Sequence, residues 1–189
     1  AAVFSTFYRN AVDSNASFEY EGLTHRAGGY QLEDMLTKTT NAILDFKYSS
    51  SDRLTWWFDH HESAFLSPED ESHFRRDQSG SKFHGPNYQS CTKFIEYISK
   101  TIFNCPLENL RDLIHWADII DGAQFESAQA AVELKEPALK LMMVIESIHD
   151  RKLINRIIQD LQTRPLAEIA ADPEIRGHFE ALYEKHLEA

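Results

Sequence analysis

The sequence has little cysteine and no long apolar run. Its 189 residues include only two cysteines, Cys91 and Cys105, in segments predicted as separate helices, so no disulfide framework is expected. Scarce cysteine suits a reducing compartment. No charged-then-apolar signal peptide opens the sequence, and no apolar stretch approaches the roughly 20 residues that a transmembrane helix needs. These absences predict a cytoplasmic protein.

Positive charge is also scarce. Lysine and arginine number 19 against 30 aspartates and glutamates, which gives a formal net charge of −11. Broad binding to long duplex nucleic acid or to a membrane surface needs basic surface, so neither partner is expected. A small phosphate-containing ligand stays compatible with this charge, because a bound cation can supply positive charge locally. The length fits one domain, or one domain with an appendage.

The order of predicted elements indicates an α/β fold whose second half is mostly helical. Residues 42–46 and 54–58 have the composition of buried parallel strands, and residues 18–23 alternate like a half-buried strand. The polar residues 67–88 predict a long loop. From Ser90 onward nearly every segment has helical periodicity. We therefore predict a parallel-sheet domain over residues 1–125 and a helical extension over residues 126–189, whose later helices serve internal packing or a homodimer surface.

Polar side chains follow both predicted strands. Asp45 lies near the end of the first strand, and Asp59, His60 and His61 come directly after the second. Because the carboxyl ends of parallel strands meet at one edge of a sheet, these groups are expected to converge where α/β sheets place their ligands. Three adjacent polar side chains are costly to bury without a partner, and a divalent cation would satisfy them. The alternative is a surface turn that happens to hold two histidines.

A further acidic pair ends a predicted helix. Asp118 and Asp121 are three residues apart and can face one direction. Carboxylates at the carboxyl end of a helix oppose its dipole unless a positive charge is near, so one of them is a candidate metal ligand. The alternative is a pair of solvated side chains. Carboxylates combined with imidazoles are typical ligands for manganese or zinc-like ions and are a poor set for calcium.

Taken together, these motifs resemble the ordered motifs of the DHH phosphoesterase superfamily. The superfamily includes family II pyrophosphatases, exopolyphosphatases, nanoRNases and cyclic-dinucleotide phosphodiesterases. The resemblance covers roughly residues 1–125, and the Asp-His-His run preceded by a strand that ends in a carboxylate is its most specific part. The motifs that carry it are Ile43-Leu44-Asp45, Phe58-Asp59-His60-His61, Ser90-Cys91-Thr92 and Ala117-Asp118-Ile119-Ile120-Asp121.

The resemblance implies a phosphoester or phosphoanhydride hydrolase with two metal ions, usually manganese and alternatively magnesium, cobalt or zinc. Its substrates would be short oligonucleotides, nucleotides or polyphosphate. Asp45 would bridge the ions, and His60 with Asp118 or Asp121 would bind one of them. His61 would contact the substrate phosphate, while Asp59 orients the histidines.

Three further residues are candidate substrate contacts. Ser90 and Thr92, at a predicted helix start, could offer hydroxyl groups and free N–H groups to a phosphate, although capping of the helix is the simpler role. His84, in the predicted loop, could be a mobile contact.

Two parts of the family pattern are missing. The aspartate-rich loop expected just before the helix predicted over residues 1–12 is absent, and this loop supplies most ligands of one metal position. The glycine-rich Gly-Gly-His signature of the carboxyl-terminal substrate domain is absent too, and Gly28-Gly29 lies too early to be it. We expect a truncated sequence rather than lost catalysis. The rival hypotheses are a non-catalytic nucleotide-binding or phosphate-binding module and a purely structural interaction protein.

Overall fold

The computed structural model describes residues 1–23 and 32–187, and the Gly28-Gly29 pair lies outside these ranges. The chain folds into two compact units, one formed by Ala1–Glu21 with Glu96–Ala189 and the other by Gly22–Ile95. The division at residue 125 stays a prediction.

Helices and strands are interspersed in the first half of the chain, and every regular element among the described residues after β3 is helical. The strands are β1 (Ala42–Leu44), β2 (Trp56–Asp59) and β3 (Lys82–His84). The helices are α1 (Ala2–Ala11), α2 (Leu32–Met35), α3 (Pro68–Arg76), α4 (Cys91–Thr101), α5 (Arg111–Asp121), α6 (Ala128–Glu133), α7 (Pro137–Ser147), α8 (Arg151–Asp160), α9 (Leu166–Ala170) and α10 (Pro173–Leu187), and a short 3-10 turn (Glu108–Leu110) precedes α5. This order confirms the predicted α/β class and the mostly helical second half.

The three strands form one parallel sheet in the order β1-β2-β3. Ile43 pairs with Trp57 in register, and Asp59 pairs with His84 at the far end. All four residues of β2 are buried, as expected for the central strand of a covered parallel sheet. Trp57 is completely buried in an apolar cluster. The carboxyl ends of the three strands therefore lie at one edge of the sheet, with the end of β2 between those of β1 and β3.

The long loop predicted over residues 67–88 is wrong, because this segment contains α3 and β3. Capping and charge define α3: the Ser67 hydroxyl accepts a hydrogen bond from the N–H of Asp70 at 3.2 Å, and Pro68 occupies the first turn. Acidic residues fill its first turn and basic residues its last, as the helix dipole favours. A search for apolar periodicity misses such a helix, since none of its residues is buried.

The strand predicted over residues 18–23 is also wrong, since these described residues belong to no helix or strand. Phe18 packs its ring edge-on against Phe4 and Tyr8 of α1, with ring centroids 6.5 and 5.8 Å apart. The alternation of aromatic and acidic residues therefore reflects packing on a helix. Helix α6 was not predicted, and its start is capped by the hydroxyl of Ser127, which accepts a hydrogen bond from the N–H of Ala130.

The second core lies among the carboxyl-terminal helices. Val144 of α7, Ile157 of α8, Ile169 of α9 and Ile175 of α10 are completely buried in one apolar cluster, and Trp116 packs against it. Asp150 caps α8 by accepting hydrogen bonds from two backbone N–H groups. Across residues 1–23 and 32–187, no helix combines the length and the apolar character that crossing a bilayer would require.

A polar network behind the sheet involves Tyr48 and β3. The ammonium group of Lys82 lies 2.8 Å from Asp77, and both side chains are largely buried. Burial by itself would raise the pKa of Asp77, but hydrogen bonds from Lys82 and Ser79 outweigh it and hold the pKa below its usual range. The Tyr48 hydroxyl lies 2.8 Å from His73 Nδ1. Burial, reinforced by the charges of Asp77 and Asp70, raises the pKa of Tyr48 to about 12.

Tyr48 is therefore expected to ionise well above the usual pH of a tyrosine when the folded protein is titrated with base. The unfolded chain releases this proton near a pH of about 10 and the folded chain keeps it to about 12, so folding stability decreases across that interval. Tyrosinate absorbance should contain a component that titrates near a pH of about 12, and Tyr48→Phe should remove that component. A titration curve that is the same in Tyr48→Phe at this pH, with circular dichroism unchanged, would contradict this assignment.

Candidate metal centre

Asp45 directly follows β1 and leaves the strand in an unusual backbone conformation. Its φ of 58° lies in the left-handed region, which aspartate tolerates better than most residues. Its backbone N–H donates to the carbonyl of Phe58 on β2 at 2.8 Å, which anchors the turn to the sheet. Backbone conformations of this kind concentrate at functional sites. The result is a carboxylate that is 48% exposed beside the end of β2.

Asp59 ends β2 and organises the two histidines that follow. Its side chain is only 1% exposed. Its Oδ1 accepts hydrogen bonds from the backbone N–H of His60 at 2.7 Å, the backbone N–H of His61 at 3.1 Å and the Nδ1–H of His61 at 2.7 Å. A buried carboxylate needs such donors. Asp59 therefore fixes both the turn after β2 and the orientation of the His61 ring.

His60 is held from its other side. Its Nδ1 lies 3.0 Å from the carbonyl oxygen of Tyr88. A carbonyl only accepts, so Nδ1 carries the proton and, in the neutral ring, the lone pair is on Nε2. This Nε2 lies 3.3 Å from Asp45 Oδ1, and the His60 side chain is only 10% exposed. The same reasoning applies to His61, whose Nδ1–H donates to Asp59 and whose lone pair is therefore also on Nε2.

The residues fit a first-row divalent ion. Asp45, His60 and His61 each offer a ligand atom, and these atoms lie within 4.8 Å of one another. Two ligand atoms about 2.1 Å from one ion, at an angle of about 105°, lie about 3.3 Å apart, and Asp45 Oδ1 and His60 Nε2 are 3.3 Å apart. Metal-binding histidines commonly donate their other N–H to a carboxylate or carbonyl, as His60 does here to the carbonyl of Tyr88. A carboxylate with two imidazoles suits manganese, cobalt or zinc.

The Tyr88 carbonyl that holds His60 depends on a tight turn after β3. The N–H of Tyr88 donates to the carbonyl of Gly85 at 3.1 Å, and the N–H of Gly85 donates to the carbonyl of Asp59 at 2.9 Å. The ring of Phe94 covers this turn, with its centroid 4.9 Å from that of Tyr88. A Cβ atom on Gly85 would lie 2.6 to 2.8 Å from three atoms of the Phe94 ring. Only glycine allows this close approach without a shift.

Gly85→Ala is therefore expected to destabilise the protein by about 1–3 kcal/mol, because Phe94 is buried and cannot yield without repacking. The Tyr88 carbonyl should shift with the turn and release His60, so metal affinity should also fall. The matched control is Gly177→Ala in α10, where a Cβ meets nothing within 4 Å and the helix should gain about 0.5–1 kcal/mol. Stability is measured by urea denaturation. An equal change in the free energy of unfolding in the two variants would contradict the assigned role of Gly85.

The predicted substrate contacts lie in regular elements or at their ends. His84 ends β3 rather than lying in a loop. Ser90 precedes α4, and its buried hydroxyl accepts a hydrogen bond from the N–H of Lys93 at 3.1 Å, so it caps the helix. Thr92 lies in the first turn of α4. Contact of any of these three residues with substrate stays a prediction.

The predicted ligands at the end of α5 lie in the unit formed by Ala1–Glu21 and Glu96–Ala189. Across the described ranges, the one group of three or more His, Cys, Asp or Glu residues with metal-binding geometry is Asp45, His60 and His61. A ligand role for Asp118 or Asp121 stays a prediction. Cys91 is buried and donates its thiol hydrogen to the carbonyl of Phe58 at 3.4 Å. Burial, with the charge of Asp45, raises the pKa of its thiol, which keeps it protonated.

Two functional features escaped the sequence analysis. The first is the backbone carbonyl of Tyr88, which no residue type can signal. The second is Gly85, for which the Gly85-Pro86 pair was an available turn signal. No protein-family model, curated protein or solved structure matches this chain in comparisons of its sequence and structure with known proteins.

Proposed function

We propose that this chain is a metal-dependent phosphohydrolase of the DHH type, acting on phosphoester or phosphoanhydride bonds in the cytoplasm. The observation that carries the proposal is the convergence of Asp45, His60 and His61 at the carboxyl edge of a parallel sheet, with both imidazoles protonated at Nδ1. This is the edge at which α/β sheets bind their ligands. The substrate class is short oligonucleotides, nucleotides or polyphosphate.

In this proposal some residues of the site bind the ion and others contact the substrate. Asp45 and His60 bind the ion, manganese by preference, and the carbonyl of Tyr88 holds His60 in its binding tautomer. When bound, the ion supplies a water with a pKa near neutrality and positive charge for the phosphate oxygens. His61 is 48% exposed and either completes the ligand set or contacts the phosphate. Asp118 or Asp121 of α5 is proposed as a further ligand, as the DHH resemblance implies.

The charge of the protein supports a cation-mediated route to phosphate. With a net charge of −11, the surface as a whole repels polyanions, so attraction has to come from a local positive centre. The Asp45 carboxylate and the Asp59 carboxylate lie 3.7 and 2.7 Å from His61 Nδ1 and would themselves repel a phosphate. A divalent ion held by Asp45 and His60 would supply local positive charge and remove this conflict.

A second candidate is a phosphate-binding or nucleotide-binding module without turnover. The observation in its favour is that the described cluster contains three ligand residues, which is sufficient for one ion, whereas the two-metal mechanism needs more. In this reading Ser90 and Thr92 at the start of α4 would contribute to anion binding without chemistry.

The test is a panel of phosphorylated compounds with and without manganese. Pyrophosphate, polyphosphate, a dinucleotide and a cyclic dinucleotide are incubated with the chain, and released phosphate or nucleotide is measured. The proposal predicts manganese-dependent turnover of at least one compound, lost in His60→Ala. Manganese-dependent binding without turnover would favour the non-catalytic module, and neither binding nor turnover would contradict both.

A further inference from the structure

His84 lies at the end of β3, directly opposite Asp59 in the strand register. Its Nε2 is 2.8 Å from the backbone carbonyl oxygen of His61. Because a carbonyl oxygen can only accept, Nε2 carries a hydrogen and donates it to His61. The imidazole of His84 is therefore engaged with the backbone of the Asp-His-His turn.

Aromatic rings hold the His84 imidazole in this orientation. The ring stacks on the completely buried Trp57, with centroids 5.8 Å apart and planes 27° apart. Phe65 approaches edge-on at 5.2 Å, and Phe74 lies at 6.4 Å. Such packing restricts the rotamers of a side chain. These aromatic side chains therefore hold the His84 ring so that its Nε2–H points at the carbonyl of His61.

The His61 ring contacts the His60 ring, with centroids 4.3 Å apart, but the His61 side chain is 48% exposed. Its ring orientation depends on hydrogen bonds to the chain around it. Asp59 Oδ1 accepts from both the backbone N–H and the Nδ1–H of His61. The carbonyl of His61 accepts from His84 and from the N–H of Ala64 at 3.1 Å. Asp59 therefore holds the backbone N–H of His61, and His84 holds its backbone carbonyl.

We propose that His84 is a positioning residue for His61. Through its Nε2–H it fixes the peptide that follows His61, and so keeps the His61 imidazole on Asp59 with its Nε2 lone pair available to a metal ion or a phosphate. This assignment rests on the proposed function for its consequence, but the orientation of His61 is a property of the protein without any ion. A side chain that supports a ligand from outside the ligand set commonly affects metal affinity about 10–100-fold.

Two substitutions separate the donor from the ring. His84→Phe keeps an aromatic ring against Trp57 and removes the N–H donor, whereas His84→Gln restores a donor without the aromatic ring. His178→Phe, at an exposed position of α10, is the matched control. We expect the dissociation constant for manganese to rise about 10-fold in His84→Phe. Most of the lost affinity should be recovered in His84→Gln, and His178→Phe should lose none.

The decisive readout uses the chain without metal. Long-range proton–nitrogen NMR spectra report which ring nitrogen of each histidine is protonated, and the His61 signals are identified by their loss in His61→Asn. The proposal predicts a single Nδ1–H tautomer for His61 in the unsubstituted chain, a mixture of tautomers in His84→Phe, and recovery in His84→Gln. An unchanged His61 spectrum in a folded His84→Phe would overturn the positioning role.

The same experiment keeps the two proposals distinguishable. Failure of the proposed function would appear in the unsubstituted chain, as absence of manganese binding and of turnover, while the NMR spectra would still decide the role of His84. Should His84→Phe fail to fold, His84→Gln alone decides: a His61 tautomer retained in this variant supports donor-based positioning, and its loss contradicts it.

Discussion

His60→Ala is expected to abolish metal-dependent turnover and to weaken manganese binding by more than about 100-fold, since it removes a ligand rather than a supporting group. The His60 imidazole is almost fully buried, is set in its tautomer by the Tyr88 carbonyl and lies 3.3 Å from Asp45. Affinity is measured by isothermal titration with manganese, and turnover with the most active compound of the substrate panel.

The fold should survive this substitution. The His60 ring donates a hydrogen bond to the carbonyl of Tyr88, and loss of a bond of this kind costs on the order of 1 kcal/mol. Circular dichroism and the urea midpoint should therefore stay close to those of the unsubstituted chain. His178→Ala, which removes an exposed histidine of α10, is the control and should leave binding intact. Undiminished manganese affinity in His60→Ala would refute the assigned ligand.

The second large effect is expected from Asp59→Ala, which should lower the free energy of unfolding by about 2–4 kcal/mol. The substitution leaves three N–H donors without their shared acceptor in a site where the side chain is 1% exposed. The His61 ring should lose its fixed orientation at the same time. Urea denaturation gives the stability difference, and manganese titration gives the effect on the site.

Asp59→Asn is the matched variant. Its amide oxygen can occupy the place of Oδ1 and accept the same three hydrogen bonds, but without the negative charge that strengthens them. We expect it to lose about 1 kcal/mol, clearly less than Asp59→Ala. If the free energy of unfolding of Asp59→Ala were within about 0.5 kcal/mol of that of the unsubstituted chain, the organising role of Asp59 would be wrong.

The convergence of Asp45 with His60 and His61 was predictable because it depends on one rule. Parallel strands place their carboxyl ends at a common edge, so residues that follow two neighbouring strands meet there whatever the rest of the fold does. The apolar composition of β2 identified the strand, and the register of β1 on β2 then put Asp45 beside the Asp-His-His turn. This part of the site follows from local patterns alone.

The support of the site was harder to predict because it comes from elements without an apolar pattern. β3 is three residues long and includes Lys82, whose charge is tolerated through its pairing with Asp77. α3 is stabilised by its N-cap residue and by charged residues that suit the helix dipole, and none of its residues is buried. Without these two elements, the sequence predicts a loop at His84. Its contact with His61 depends on a strand register that no single sequence window contains.

The metal content of the purified chain tests the assigned ion ligands most directly. The protein is incubated with manganese, dialysed extensively and examined by elemental analysis, together with His60→Ala and His178→Ala. We expect at least one retained ion per chain, lost in His60→Ala and kept in His178→Ala. Absence of specific metal from the unsubstituted chain, or equal retention in all three proteins, would contradict a metal centre at Asp45, His60 and His61.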